Sequence, residues 1–421
     1  MPVKKANEWV GYWSNIGIFL TFALSLTLRS GYSYGATMLL LGALGLFLCQ
    51  RQRFRISWNR VDTLLLMTFV IYGLSFIFFR FVHVVEMTGF DKPSRFVLVL
   101  LVYCFLRKYP PRREWIWFGV SLGAFSGAIL ALYQRLAFDN MRVGGFMHPI
   151  MFGDIGALLG LLSFVGLVYF WSERHFIQAS FMVIGGISGL IVSVLSGSRG
   201  GWIAIPMALV YIFWQSRDLI GRLRAKVILV FFAVAAVLVV SIPQIGVSQR
   251  IDEAASNIKN YVNSTNVDTS VGLRFEMWKA AIYLFLKEPV VGVGKYDLHQ
   301  QKQELVNQGL VDQSIVRFDH AHNEYLTNLS EYGIIGFVLL MFLYLVPLRL
   351  FMRKARQYKH DWRMKCLAMA GVLIPMCYMD FALTQSMFSH NSGVMIYTLA
   401  IIIFWSALRS DEALELTQRS V

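Results

Sequence analysis

A row of apolar runs, most of them near the roughly 20 residues that cross a bilayer's hydrocarbon, constrains this chain more than any other feature. The runs lie near 13–29, 33–50, 61–79, 95–106, 115–134, 150–171, 177–195, 202–214, 227–243, 332–348, 366–385 and 392–408. In hydrocarbon every backbone N–H and C=O must be satisfied within the protein, so such runs fold as helices. The expected fold class is an all-α polytopic membrane protein with about twelve transmembrane helices. The runs at 95–106 and 202–214 are short, as tilted, broken or mis-bounded spans would be. A hydrophobic content of 56% with only 15% charged residues and a mean hydropathy of +0.54 lies outside the globular range. The first run lacks a small-residue cleavage site and reads as a retained span, not a signal peptide.

The net charge of +14 raises the question of nucleic acid, and the placement of the charge answers it. With Lys4 and Lys5 in the cytoplasm and the sides alternating, the cytoplasmic loops receive Arg51, Arg53, Arg55 and Arg60, then Arg107, Lys108, Arg112 and Arg113, then Arg217, Arg222, Arg224 and Lys226. The loop over 349–365 adds more. The positive-inside rule therefore sets both termini in the cytoplasm. The expected partners of this charge are membrane lipids, and no nucleic acid. Cys49, Cys104, Cys366 and Cys377 all fall in or beside spans, with no Cys-x-x-Cys, which argues against a disulfide framework or a cysteine zinc site. A Walker loop, a dinucleotide fingerprint and a His-Glu-x-x-His motif are also missing from the sequence.

The expected organisation is spans one to nine over 1–244, a long outer loop over 245–331, and spans ten to twelve with a short tail over 332–421. Within the loop, 251–262 and 273–286 have helical spacing of apolar residues. Met277, Trp278, Ala281, Ile282 and Leu286 are expected to form one face that packs on the membrane or the spans. Pro289, Gly292 and Gly294 end that helix, and 297–308 reads as another.

The polar groups expected on the outer side form a pattern. Arg199, in Ser198-Arg199-Gly200-Gly201-Trp202, stands where one span ends and the next begins. Glycines and a helix N-terminus there offer backbone N–H groups to an anion, and the arginine adds bidentate donors. Arg274 sits near a helix start, a placement that a neighbouring anion or Glu276 would make favourable. Arg80 and Arg95 flank another loop, as further anion ligands or interfacial anchors. His148 precedes Pro149 after Gly144 and Gly145, an irregular backbone that is stable in a membrane protein only when buried or lining a cavity. The loop closes with Asp319-His320-Ala321-His322-Asn323-Glu324-Tyr325. Its histidines titrate near neutrality and could accept a proton from a hydroxyl. Asp319 and Glu324 beside them leave a zinc site as the sharp alternative, without a third strong ligand at typical spacing. Arginines plus a histidine suit a dianionic leaving group and an activated hydroxyl, as in pyrophosphate-linked lipid sugars.

These residues, together with Arg274 and Trp278, Pro289 with Gly292 and Gly294, and Glu331-Tyr332-Gly333-Ile334-Ile335-Gly336, resemble the O-antigen ligase and polymerase superfamily. The resemblance extends over about half the chain, in order and spacing, from Gly144 to Gly336. It implies a metal-independent polytopic glycosyltransferase of the GT-C type, needing no cofactor. It implies a bacterial inner-membrane location with the site facing the periplasm. The implied donor is an undecaprenyl-pyrophosphate-linked glycan, with Arg199 and Arg274 on the pyrophosphate and His322 as base, His320 standing second. Chain size favours a lipopolysaccharide O-antigen ligase with a lipid A–core acceptor and inverting transfer. An O-antigen polymerase or a protein O-oligosaccharyltransferase stays open. So does a lipid-linked sugar transporter, which would use ionisable groups within spans such as Asp154 and Asp380.

Overall fold

The computed structural model describes residues 2–50, 58–83, 87–138, 142–198, 200–221, 256–257, 259, 261, 263 and 267–419. Its long helices are α1 (Pro2–Ala23), α2 (Gly31–Gln50), α3 (Arg60–Val82), α4 (Asp91–Lys108), α5 (Arg113–Phe138), α6 (Pro149–Ser172), α7 (Phe176–Ser196), α8 (Ala204–Ile220), α9 (Ser270–Lys287), α10 (Leu298–Asn307), α11 (Glu324–Gln357), α12 (Trp362–Phe381) and α13 (Asn391–Arg419). Among the described residues there is no strand, and nine helices are long and apolar enough to cross a membrane. The chain is thus an all-α polytopic membrane protein. Helices α1 and α4 occupy the places of the first and fourth expected spans, α1 starting well ahead of residue 13. The expected ninth span, 227–243, lies outside the described residues.

Helix α6 is the axis of the bundle. It is apolar all round and buried along nearly its whole length, which is the pattern of a helix surrounded by other helices. It meets α7 so closely that a Cβ on Gly189 would run into the backbone of Gly156 and Gly160, so small residues set this approach. Helices α12 and α13 are also mostly buried and share the core with α6 through residues such as Phe152, Tyr378 and Tyr397.

Residues 270–321 form a smaller body at one end of the bundle. Thr269 caps α9, its hydroxyl accepting from the Gly272 N–H at 3.0 Å. Met277, Ala280, Ala281 and Leu284 of α9 pack with Leu298 and Leu305 of α10 and with Val311 and Ile315. The apolar face expected on α9 therefore splits. Met277 and Ala281 enter this core, while Ile282 and Leu286 stay outside, 47% and 65% exposed. Most of the helix expected over 251–262 lies outside the described residues.

This body joins the bundle through a break in α11. Gly333 has φ +62° and ψ −160°, a backbone state open to glycine alone, and it interrupts the helical ladder. Residues 289–294 repair the break. Val293 N donates to Ser330 O at 2.9 Å and Gly294 N to Glu331 O at 3.1 Å, while Ile334 N donates to Pro289 O at 2.9 Å. A kink in a span is tolerated when neighbours satisfy the freed backbone groups, and that explains why the Pro-Gly-Gly run and the Glu-Tyr-Gly run occur together. Helix α11 starts at Glu324, ahead of the expected boundary at 331–332, because Asn323 caps it by accepting from Leu326 N at 3.0 Å.

Candidate functional site

Four imidazoles meet at the end of the bundle where the smaller body docks. His320 and His322 precede α11, His148 is the N-cap of α6, and His390 precedes α13. The rings of His320 and His322 are 4.5 Å apart, and His390 lies 5.8 Å from both His320 and His148. His148 and His322 are 6.5 Å apart. His322 takes φ +48°, the left-handed region, so its side chain leaves the backbone in a direction that a helical residue could not reach. Trp278 of α9 holds this turn from outside by donating its indole N–H to Ala321 O at 3.1 Å.

The hydrogen bonds assign a tautomer to each neutral ring. Gln385 Oε1 accepts from Ser386 N at 3.0 Å, which identifies the oxygen end of that amide. The same oxygen lies 2.9 Å from His322 Nδ1, so Nδ1 carries the proton and Nε2 is left with a bare lone pair. Gln385 Nε2 donates to His390 Nε2 at 3.3 Å. His320 Nδ1 accepts from His322 N at 3.2 Å, and His148 Nδ1 from Ile150 N at 3.3 Å, so both present N–H at Nε2. Of the four rings, His322 alone offers a lone pair that no donor among the described residues uses.

All four rings are held neutral. Burial first, then His322 and His390, pull His320 down to about 2. Burial, then Arg274, draw His322 down to about 4, and burial, then His148, draw His390 to about 4. His148 is lowered by burial and by Arg142. Desolvation disfavours the imidazolium in each case, and the cations nearby add to it.

Arg274, half-buried on α9, acts electrostatically on both His322 and Asp154. The structure thus brings two of the expected site residues, Arg274 and His322, to one place, with His320 and His148 beside them. Arg199 lies outside the described residues, but its flanks are held. Ser198 Oγ donates to Asp154 Oδ1 at 2.8 Å, and Ala204 N donates to Asp380 Oδ2 at 2.9 Å. Asp154 of α6 and Asp380 of α12 therefore hold Ser198 and Ala204. Glu276 is occupied by Tyr261 Oη at 2.6 Å and Asp312 N at 2.8 Å.

The other expected residues are placed elsewhere. Arg95 pairs with Asp91 at 2.8 Å and lines a groove with Thr37 and Thr398. Arg80 stands over the Phe90 ring at 5.4 Å. Asp319 turns outward to His299, 3.1 Å away, and Glu324 accepts from Phe388 N at 2.8 Å and Asn328 Nδ2 at 3.2 Å. Neither carboxylate joins the imidazoles, and among the described residues no three His, Cys, Asp or Glu side chains converge as a metal site.

Sequence reasoning missed Gln385 and His390. They lie in the turn over 382–390 between α12 and α13, far from the motif in sequence, with no spacing to betray them. The same turn seats Thr384 against Gly200 and bonds Ser386 Oγ to Thr327 Oγ1 at 2.8 Å, tying the arginine turn to the histidine turn.

Residues 184–341 match the model of a family described as O-antigen ligase, a segment that includes Arg199, Arg274 and both histidines of the motif. The resemblance to the O-antigen ligase and polymerase superfamily is upheld over that segment, and it supports a function of that type. The chain is also similar to a protein of Haemophilus influenzae, described only as an uncharacterized protein, with 26% identity over 392 residues, 93% of this chain and 97% of that protein.

Proposed function

We propose that this chain is an O-antigen ligase, moving a glycan from undecaprenyl pyrophosphate to a sugar hydroxyl of lipid A–core. The observation that carries this reading is the bare Nε2 of a neutral His322 beside Arg274. His322 Nε2 takes the proton of the acceptor hydroxyl as its oxygen attacks the anomeric carbon of the donor sugar. The bond from that carbon to the phosphate oxygen breaks, and its electron pair leaves with undecaprenyl pyrophosphate. Arg274 and Arg199 balance the charge that grows on the leaving oxygen. One displacement inverts the anomeric centre, and the arginines supply the charge that a metal would otherwise supply. Gln385 holds His322 in the tautomer that a base requires, and this favours His322 over His320, whose outward nitrogen bears a proton. Arg107, Lys108, Arg112, Arg113 and the basic residues over 349–365 lie at the opposite end of the helices from the histidines, which supports a periplasmic site in a bacterial inner membrane.

The pH profile follows from the same charges. A base works only when unprotonated, so activity falls as pH falls through its pKa. In free enzyme that limb lies near 4 for His322. Bound pyrophosphate offsets Arg274 and raises the pKa, so the acid limb of kcat stands at higher pH than that of kcat/KM for the donor. Coincident limbs would remove Arg274 from the pyrophosphate.

Purified protein with lipid-linked donor and lipid A–core tests the whole reading, and ligation at wild-type rate by His322→Ala would overturn the base assignment. Product formed only on a second repeat unit would reassign the chain as a polymerase. Activity lost to chelator and restored by zinc would return a metal to the site. The transporter alternative loses ground because Asp154 and Asp380, the carboxyls it would use, are bonded to Ser198 and Ala204.

A further inference from the structure

The first two turns of α11 carry a stripe of the wrong polarity for packing. Glu324, Thr327, Asn328 and Glu331 recur at the i, i+3, i+4, i+7 spacing that normally marks an apolar face. They are 2%, 4%, 3% and 4% exposed. They line a cavity whose wall includes Phe76, Phe79 and Tyr332, with Tyr332 centred 5.0 and 4.9 Å from the two phenylalanines. Lys92 and Lys295 also line it. Glu324 is committed to Phe388 N and Asn328. Glu331 bonds to Tyr332, and Lys295, Lys302 and Lys92 act on it, yet among the described residues none reaches it as an ion pair. An ionisable group kept inside a bundle without an ion pair is costly unless something else uses it.

We propose that this cavity seats the terminal sugar of the acceptor glycan. The inference rests on the glycosyl-transfer reading above and adds where the acceptor lies. A carboxylate, an amide and a hydroxyl on one helix face accept and donate to sugar hydroxyls, and the aromatic wall covers the apolar face of a sugar ring. The position also fits the reaction. Displacement at the anomeric carbon needs the attacking oxygen opposite the leaving oxygen. Arg274 and Arg142 act on His322, whereas Lys295 acts on His320 and Lys92 on His390. Arginine charge thus reaches His322, while lysine charge, including that of Lys92 and Lys295 on the cavity wall, reaches His390 and His320. Thr327, on the cavity face, accepts from Ala321 N at 3.2 Å, and Ser389 of the cavity adjoins His390.

The test is a split of Michaelis constants on the full-length protein. Glu331→Gln keeps the shape and removes the charge, and Lys295→Ala changes an exposed rim position. We expect KM for the acceptor glycan to rise about tenfold in Glu331→Gln and severalfold in Lys295→Ala, with KM for the lipid-linked donor within about twofold of wild type. A rise in donor KM with acceptor KM unchanged would give the cavity to the donor and overturn the proposal. So would two unchanged constants. If Glu331→Gln loses its fold by thermal unfolding, Lys295→Ala and Tyr332→Phe decide the matter by the same split. Should the true acceptor be a second repeat unit, the ligase reading fails, but the split measured with that acceptor still decides the cavity.

Discussion

The two ends of the helical bundle treat charge in opposite ways. At the end formed by the start of α3 and the ends of α11 and α13, acids hold bases. Asp62, fully buried, accepts from Arg409 at 3.0 Å and from the Trp405 indole at 2.9 Å. Glu412 pairs with Arg409 and with Lys354, and Asp411 with Arg113 at 2.6 Å. At the histidine end the imidazoles are neutral, the buried Glu331 has no ion pair among the described residues, and burial, with Arg274 second, keeps His322 unprotonated. Closed pairs brace a bundle. A buried carboxyl that lines a cavity beside neutral rings can answer to a substrate.

Substitutions can break or sharpen this contrast. His322→Ala should reduce the transfer rate about a thousandfold, the range for loss of a general base, while binding of labelled donor persists. Arg274→Ala should cost about a hundredfold with a raised donor KM, and Arg274→Lys should recover only part of it because a point charge lacks the bidentate fork. Gln385→Ala should slow turnover about tenfold without altering either KM, since it removes an orienting partner and not a contact with substrate. An effect of Gln385→Ala on donor KM alone would mean that the amide touches the donor. At the other end, Asp62→Asn should lower stability by about 3–5 kcal/mol, as for one partner lost from a buried pair, with turnover of the folded fraction unchanged. A loss of turnover there would erase the contrast between the ends. Asp319→Asn should change the rate less than about twofold, because an exposed pair with His299 contributes little.

Much of the fold was legible because hydrocarbon imposes a simple code. The long runs at 150–171 and 177–195 are helices α6 and α7 almost to the residue. The break at Gly333 was harder to read, since only its pairing with 289–294 gives the two glycine-containing runs a common purpose. The site was legible in part. Arg274, His320 and His322 stand out as polar groups in an apolar chain, and the structure gathers them. Gln385 and His390 do not stand out, because a lone amide and a lone histidine in a short turn resemble any interfacial residue. Hydropathy assigns the stripe from Glu324 to Glu331 to the outer loop, and its meaning depends on whether that helix face meets lipid, protein or a cavity.

The sequence by itself determined the place and helical state of most spans and the motif that precedes α11. These are local properties of hydropathy and charge, decided against a uniform solvent. Only the tertiary structure decided which histidine carries a free lone pair, since that depends on an amide 63 residues away. It also decided that Asp154 and Asp380 hold Ser198 and Ala204, and that Glu331 faces a cavity. Each is a property of neighbours brought together by packing, and spacing along one chain cannot report the distance between two of its turns.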